Sequence, residues 1–426
     1  MIILAIETSC DDTCIAILKS QSPNPKFQLK GLSFEILSNI VSSQVKLHAR
    51  YGGVWPYLAK REHQKNLPVV FKKTLKGLQP SHRPPAKGGP LAKLLLGKID
   101  LISVTVGPGL EPCLWVGVNF AKELAKKLKV PIIPVNHIEA HIFANWIQPI
   151  RLKSKTAFPF MEARGKKRTK FSSPIKNRAF IYGSEGEEEN KLLFDHQKLK
   201  IIFPAICLVV SGGHTQLILM TNIGKYKILG ETRDDAAGEC FDKVARILGL
   251  GYPGGPAIER QAATLNLKPL TLNLRLPRPM IHQKNYDFSF SGLKTAVLYE
   301  VKGERFKVKD KRYIQEMCFE VQQAIIDVLI QKTLKAAKEY KAKSIILGGG
   351  VTANNELRKQ FQKKCSSPGD EHLLLVPAKK YCTDNAVMVG VSAYFHFLKG
   401  EKSDFEKIKA NANLRLGKNY GTSENL

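Results

Sequence analysis

The sequence predicts an α/β protein built of two similar lobes that face each other across a cleft. An apolar run, Ile2 to Ile6, breaks into the small polar turn Glu7, Thr8, Ser9, Cys10, Asp11 and Asp12 before Cys14 to Leu18 resumes. Far along the chain, Ile206 to Val210 breaks into Ser211, Gly212, Gly213, His214 and Thr215, and Leu217 to Met220 resumes. In each half a later strand then enters a glycine turn and a helix. Leu101 to Val106 leads into Gly107-Pro108-Gly109 and Val116 to Leu128, and Ser344 to Leu347 leads into Gly348-Gly349-Gly350 and a helix from Asn354. Short apolar runs bounded by turn residues read as buried strands, and one outline used twice reads as duplication.

Taken in order, residues 1–146 form the first lobe, with a surface loop rich in Pro, Gly and Lys from Gly77 to Gly97. Residues 147–200 read as a basic, mobile insertion that ends in the acidic run Glu185 to Glu189. The second lobe spans 201–385 and includes a long helix from Tyr313 to Tyr340, where apolar residues recur at helical spacing. Residues 386–426 hold a last helix, Ala386 to Leu398, expected to dock back on the first lobe. The tail after Lys399 is polar and basic, and no structure is assigned to it.

At 426 residues with 43% hydrophobic content, the chain is long enough for two cores. No apolar stretch approaches the roughly 18 residues a spanning helix needs, and Met1 leads straight into a strand, so the expectation is a cytosolic protein with no membrane partner. The eight cysteines include no C-x-x-C, which argues against a zinc ribbon or a disulfide framework. Lys and Arg total 66 against 37 Asp and Glu, a formal charge of +29 that favours a polyanionic partner, nucleic acid first. Residues 151–178 alone carry ten basic residues against the single acid Glu162.

The glycine turns at Gly107 to Gly109, Ser211 to Gly213, Gly254-Gly255 and Gly348 to Gly350 suit an anion, because backbone N–H groups approach it with no Cβ in the way. Together they favour a nucleotide in the cleft. His137 and His141 stand four apart in N-H-I-E-A-H, so on a helix they share one face and suit a metal ion. A zinc-protease site needs Glu directly after the first His; Ile138 is there, and Glu139 lies about 100° further round. Asp384 in C-T-D-N is either a third ligand or a helix cap. Two imidazoles and a carboxylate suit one divalent ion, iron(II) or zinc. Asp242 is either a ribose acceptor or a solvated acid beside Lys243, and Asn354 either caps a helix or reads a ligand. Tyr51-Gly52-Gly53, Arg61 and His63 form a further polar cluster with no assigned role.

These motifs together resemble the tRNA adenosine threonylcarbamoyltransferases, formerly labelled O-sialoglycoprotein endopeptidases. The likeness rests on A-I-E-T-S-C-D-D-T at Ala5, Y-G-G-V at Tyr51, G-P-G-L at Gly107, N-H-I-E-A-H at Asn136 and V-S-G-G-H-T-Q-L at Val210. It continues with D-D-A-A-G-E-C-F-D-K-V-A at Asp234, Y-P-G-G-P at Tyr252, F-S-F-S-G-L-K-T-A at Phe288, G-G-G-V-T-A-N at Gly348 and C-T-D-N at Cys382. The resemblance implies two ribonuclease-H-like lobes of the actin, chaperone and sugar-kinase superfold. It implies transfer of the threonylcarbamoyl group from threonylcarbamoyl-AMP to N6 of the adenosine 3′ of the anticodon, in tRNAs reading ANN codons, with release of AMP. It places a metal, iron(II) ahead of zinc(II), on His137, His141 and Asp384. It sets the adenylate against Val209, Val210, Ser211, Gly212, Gly213, Asp242, Gly255 and Asn354, and identifies no catalytic base. Bacterial relatives imply two partners besides tRNA, a paralogous non-catalytic subunit and a small ATPase.

The chain departs from the family pattern at Trp55 and Tyr57, where valine and glutamate are usual, at Pro112-Cys113, and in the basic insertion, which is expected to contact tRNA backbone. A kinase or ATPase of the same superfold is the second reading. His137 with His141 speaks against it, since such an enzyme holds magnesium through carboxylates and water. A metallopeptidase and a purely structural tRNA-binding protein rank below it.

Overall fold

The computed structural model describes residues 1–21, 33–76, 97–147, 149–151, 201–265, 274–303, 310–367, 372–401 and 403–417. The expected surface loop up to residue 96 and the insertion from residue 152 to 200 lie outside the described residues.

Strands β1 (Ile2–Glu7), β2 (Asp12–Gln21), β3 (Ser33–Ser43), β4 (Leu101–Gly107) and β5 (Ile132–Asn136) form one sheet in the order β3-β2-β1-β4-β5. The short β6 (Pro149–Arg151) is an edge strand of the second sheet. There β7 (Ala205–Val210), β8 (Thr215–Asn222), β9 (Lys225–Glu231), β10 (Ser344–Gly348) and β11 (Leu373–Pro377) take the order β9-β8-β7-β10-β11. In both sheets the leading strand runs antiparallel to the next and parallel to the fourth. One topology is used twice, as the two hairpin outlines predict.

The helices longer than four residues are α1 (Pro56–Lys76), α2 (Glu111–Leu128), α3 (His137–Phe143), α4 (Ala237–Ile247), α5 (Gly254–Ala263), α6 (Ser291–Gly303), α7 (Lys311–Glu339), α8 (Asn355–Cys365) and α9 (Ala386–Leu398). Successive strand residues point to opposite faces, so a strand that is apolar throughout is covered on both sides. In β1, Leu4 and Ile6 pack with Leu67 of α1 and Val118 of α2, while Ile3 and Ala5 pack with Val387 and Val391 of α9. Helix α9 thus follows the second lobe in the chain but packs on the first sheet. In β7, Ile206 and Leu208 face Val244 of α4 and Val321 of α7, while Cys207 and Val209 face Ile138 and Ile142 of α3.

Helix α3 therefore springs from β5 of the first lobe and packs on the sheet of the second. All of its seven residues are buried. Asn136 caps it, its side chain accepting from the N–H groups of Ile138 and Glu139, and donates to the Leu414 carbonyl at 3.3 Å.

That last contact belongs to a segment to which the sequence assigns no structure. Residues 403–417 cross the first lobe: Asn411 N–H donates to the Val106 carbonyl at 2.8 Å and Gly109 N–H to the Ala412 carbonyl at 3.2 Å. Ile408 and Leu414 enter the core over β1 and β4, and Leu416 joins the cluster between α3 and β7. The segment escapes a periodicity argument because its apolar residues follow neither helical nor strand spacing. Truncating a fully buried aliphatic side chain leaves a cavity, so Ile408→Ala is expected to lower unfolding stability by about 2–5 kcal/mol, read from urea titration. A cost below ~0.5 kcal/mol would show that the segment merely rests on the surface.

Candidate metal centre between the lobes

Two histidines and one carboxylate meet where α3 passes between the sheets. Asp384 Oδ1 lies 3.5 Å from His137 Nε2 and 3.3 Å from His141 Nε2. All three ligand atoms fall within 4.8 Å of one another, the group that among the described residues can hold a metal ion. Asn385 caps α9 instead, accepting from Met388 N–H at 3.0 Å, which leaves the Asp384 side chain to point at the rings. Both ring nitrogens of His141 are buried and make no hydrogen bond, although Asp384 is close by. Ligand atoms about 2.0–2.1 Å from a tetrahedral ion lie roughly 3.3–3.4 Å apart, so the spacing and the unsatisfied ring fit a small divalent cation.

A second carboxylate orients the first ring. Glu7, at the end of β1, accepts from His137 Nδ1 at 3.1 Å, from Thr105 Oγ1 at 2.6 Å and from Ser9 N–H at 2.5 Å. Ser9 Oγ lies 3.2 Å from the same ring nitrogen. A ring held through Nδ1 presents Nε2 to Asp384, the arrangement by which an outer carboxylate fixes the tautomer of a metal-ligating histidine. Burial works against ionising Glu7, yet the neighbouring His137 and these donors lower its pKa overall. Burial likewise opposes charge on Asp384, and the charges of His137 and His141 outweigh it and hold the carboxyl below its usual range. His214, its ring centroid 6.4 Å from that of His137, is depressed to about 4 by burial and by the two neighbouring histidines.

The glycine turns divide into two kinds. A Cβ on Gly107 would collide with the Asn411 carbonyl oxygen, and one on Gly348 with that of His141, so these turns serve close packing of backbones. Gly212, Gly213 and Gly255 face open space. Val209 and Val210 end β7 with both side chains fully buried. Asp242 Oδ1 accepts from Gly254 N–H at 2.7 Å, tying α4 to the start of α5, and burial pushes its pKa up to about 6. Lys243 pairs with Asp235 and Glu239 instead. Asn354 caps α8, its Oδ1 accepting from Leu357 N–H at 2.9 Å and its Nδ2 donating to Gln322 at 2.8 Å. The cap thus occupies the oxygen of its amide, and the bond to Gln322 of α7 occupies the nitrogen.

Sequence reasoning missed Glu7, Thr105 and His214 as neighbours of the histidines. Glu7 was visible as a charged residue closing an apolar strand. Reasoning also left Glu139 without a role. Its Oε2 pairs with His396 Nε2 of α9 at 2.7 Å, and its Oε1 accepts from Tyr226 of β9 at 2.8 Å. His63, fully buried, binds Thr13 Oγ1 at 2.7 Å and the Cys10 carbonyl at 3.0 Å, fastening α1 to the turn after β1.

Fold and site together define a two-lobed cleft protein whose junction carries a group able to hold a metal ion. Against known families, the model for tRNA N6-adenosine threonylcarbamoyltransferase matches residues 35–164 and 190–391. A relative of that name from Thermosipho africanus is 39% identical over 416 residues, covering 98% of this chain and 100% of the relative. Another from Syntrophomonas wolfei is 39% identical over 411 residues, covering 96% of each. The chain belongs to the tRNA N6-adenosine threonylcarbamoyltransferase family. Among solved structures it is similar to HypF of T. kodakarensis, at 14% identity and a TM-score of 0.48 over 94% of this chain and 48% of that one. No helix of the described residues is long and apolar enough to cross a membrane.

The Glu139 pair sets a pH dependence. Burial by itself would depress the His396 pKa, but Glu139 and then Glu401 lift it to about 10 from 6.5. A raised pKa stabilises the fold fully below the unfolded value and loses that contribution as pH rises through the folded one. The melting temperature is therefore expected to fall between pH 7 and about 10 more steeply in the native chain than in His396→Gln. Parallel curves would show that the charged pair contributes nothing.

Proposed function

We propose that the chain transfers a threonylcarbamoyl group from threonylcarbamoyl-AMP to N6 of the adenosine 3′ of a tRNA anticodon, with His137, His141 and Asp384 holding one divalent ion beside the open turn Gly212-Gly213. The observation that carries this reading is the three-residue group assembled from both lobes in a chain of this family. Two imidazoles and a carboxylate suit iron(II) or zinc, and the reading takes iron(II). Bound there, the ion supplies Lewis-acid polarisation of a phosphoryl oxygen.

The protein's own groups do the rest. Glu7, through His137 Nδ1, keeps Nε2 facing the ligand position. Gly212 and Gly213, with nothing over their Cα atoms, let the adenylate approach the backbone, and Gly255 does the same from the start of α5. Positioning and fixed charge of this kind lower a barrier without covalent catalysis. No residue is assigned as general base. Burial, and then nearby acids, raise the Asp12 pKa to about 7. Threonylcarbamoyl-AMP and the two partner proteins, a paralogous non-catalytic subunit and a small ATPase, enter on family likeness.

Supplied with threonylcarbamoyl-AMP and tRNA, the native chain is expected to form the modified nucleoside, detected by mass spectrometry of digested tRNA. His141→Ala should lose both the metal and the activity; modification at the native rate would remove the ion from the mechanism. Glu7→Gln keeps the fold's shape but weakens the outer contact. Its metal affinity, measured by chelator competition, is expected to drop about 10–100-fold, and an unchanged affinity would limit Glu7 to a packing role. Metal analysis of the isolated protein, with anaerobic reconstitution, decides between iron and zinc.

A further inference from the structure

The stretch from Ile36 to Arg61 contains no acidic residue but four basic ones, Lys46, Arg50, Lys60 and Arg61. It also holds an unusual density of exposed aromatic surface. Of the seven large hydrophobic side chains left exposed among the described residues, three fall between positions 51 and 57. Tyr51 and Trp55 are each 57% exposed and Tyr57 is 71% exposed. The rings of Tyr51 and Trp55 lie 6.0 Å apart at a tilt of 48°. Tyr57, Lys60, Arg61 and Gln64, at helical spacing along the start of α1, line an open depression of about 490 Å³.

Loose loops expose aromatics by accident, but this one is held by its backbone. Trp55 N–H donates to Nδ1 of the buried His48, whose Nε2 meets Gln44 Oε1 at 3.1 Å, while the indole stays outside. The Gly52 carbonyl accepts from Arg246 of α4, so the loop also touches the second lobe. The rim is continuous with the turn that reaches the metal centre. Gln44 N–H donates to the Asp11 carbonyl at 3.0 Å, His63 of α1 binds the Cys10 carbonyl, and Ser9 in the same turn contacts His137.

We propose that Arg50, Tyr51, Trp55, Tyr57, Lys60 and Arg61 form a preorganised docking rim for the single-stranded loop of the tRNA substrate, aromatic rings stacking on unpaired bases and cations meeting phosphates. Exposed π-faces interleaved with cations and free of acids are what an unpaired nucleic-acid strand requires, because every base can stack and every phosphate is anionic. Trp55 and Tyr57 are also the positions at which this chain departs from the expected family pattern, whereas Tyr51 lies in a stretch that matches it. The inference rests on the reading of tRNA as substrate.

The test measures affinity for an unmodified tRNA transcript by fluorescence anisotropy over a salt series, using the full chain and exposed-site variants that leave the core intact. Trp55→Ala and Tyr57→Ala are each expected to weaken binding roughly 5- to 150-fold, the effect of losing one stacked base. Trp55→Phe, which keeps a ring, should retain most of the affinity. Lys60→Ala with Arg61→Ala should lower the salt slope by about 0.7 per lost phosphate contact. AMP binding at native strength in the same variants would mark the loss as one of tRNA docking. Native-like tRNA affinity in both aromatic variants overturns the proposal, and does so equally if the variants instead lose a protein partner. Failure of the native chain itself to bind tRNA would sink the substrate reading beneath it, a separate outcome.

Discussion

Helix α3 is the constraint on which the rest of the structure depends. It is seven residues long, buried on every side, and carries two histidines and a glutamate into a place where polar groups are costly unless they are partnered. Each of its faces is claimed by a different part of the chain. Ile138 and Ile142 pack on β7, Ala140 and Phe143 pack with α9, and the histidines turn to Asp384. A helix so short has little stability of its own, so its position is imposed by tertiary contacts. Moving either lobe relative to α3 therefore disturbs the core and the group of His137, His141 and Asp384 together.

The twin lobes place matching turns on opposite sides of this helix, and the turns differ in chemistry. The turn after β1 presents Glu7, Asp11 and Asp12, with burial raising both aspartates, while the turn after β7 presents Ser211, Gly212 and Gly213. One side offers carboxylates that orient a ligand or exchange a proton, and the other offers bare backbone to an anion. One architecture is used twice, and the two turns differ in the groups they present.

Glu139 explains how α3 is kept in place along its length. Lying between the two histidines in sequence, it faces away from them, joining α9 through His396 and β9 through Tyr226. A charged pair with this degree of burial stabilises only when both partners are present, because either alone would be an uncompensated buried charge. The carboxylate that resembles a misplaced peptidase base is thus a strut between the first lobe, the last helix and the second lobe.

Local pattern by itself determined the two hairpins, the later strands with their glycine turns, and the pair His137 and His141 on one helical face, because each depends on residues close in sequence. It also narrowed Asp384 to two roles. Only the tertiary structure gives the cap to Asn385 and, by chain crossing, brings Asp384 to the rings from more than two hundred residues away. The same holds for Glu7 behind His137, for the tail segment 403–417 whose apolar residues have no period, and for Asn354, which the fold uses as a cap. The glycine turns were legible as turns, but which of them face open space depends on what backbone packs above them, and that is a property of the assembled fold alone.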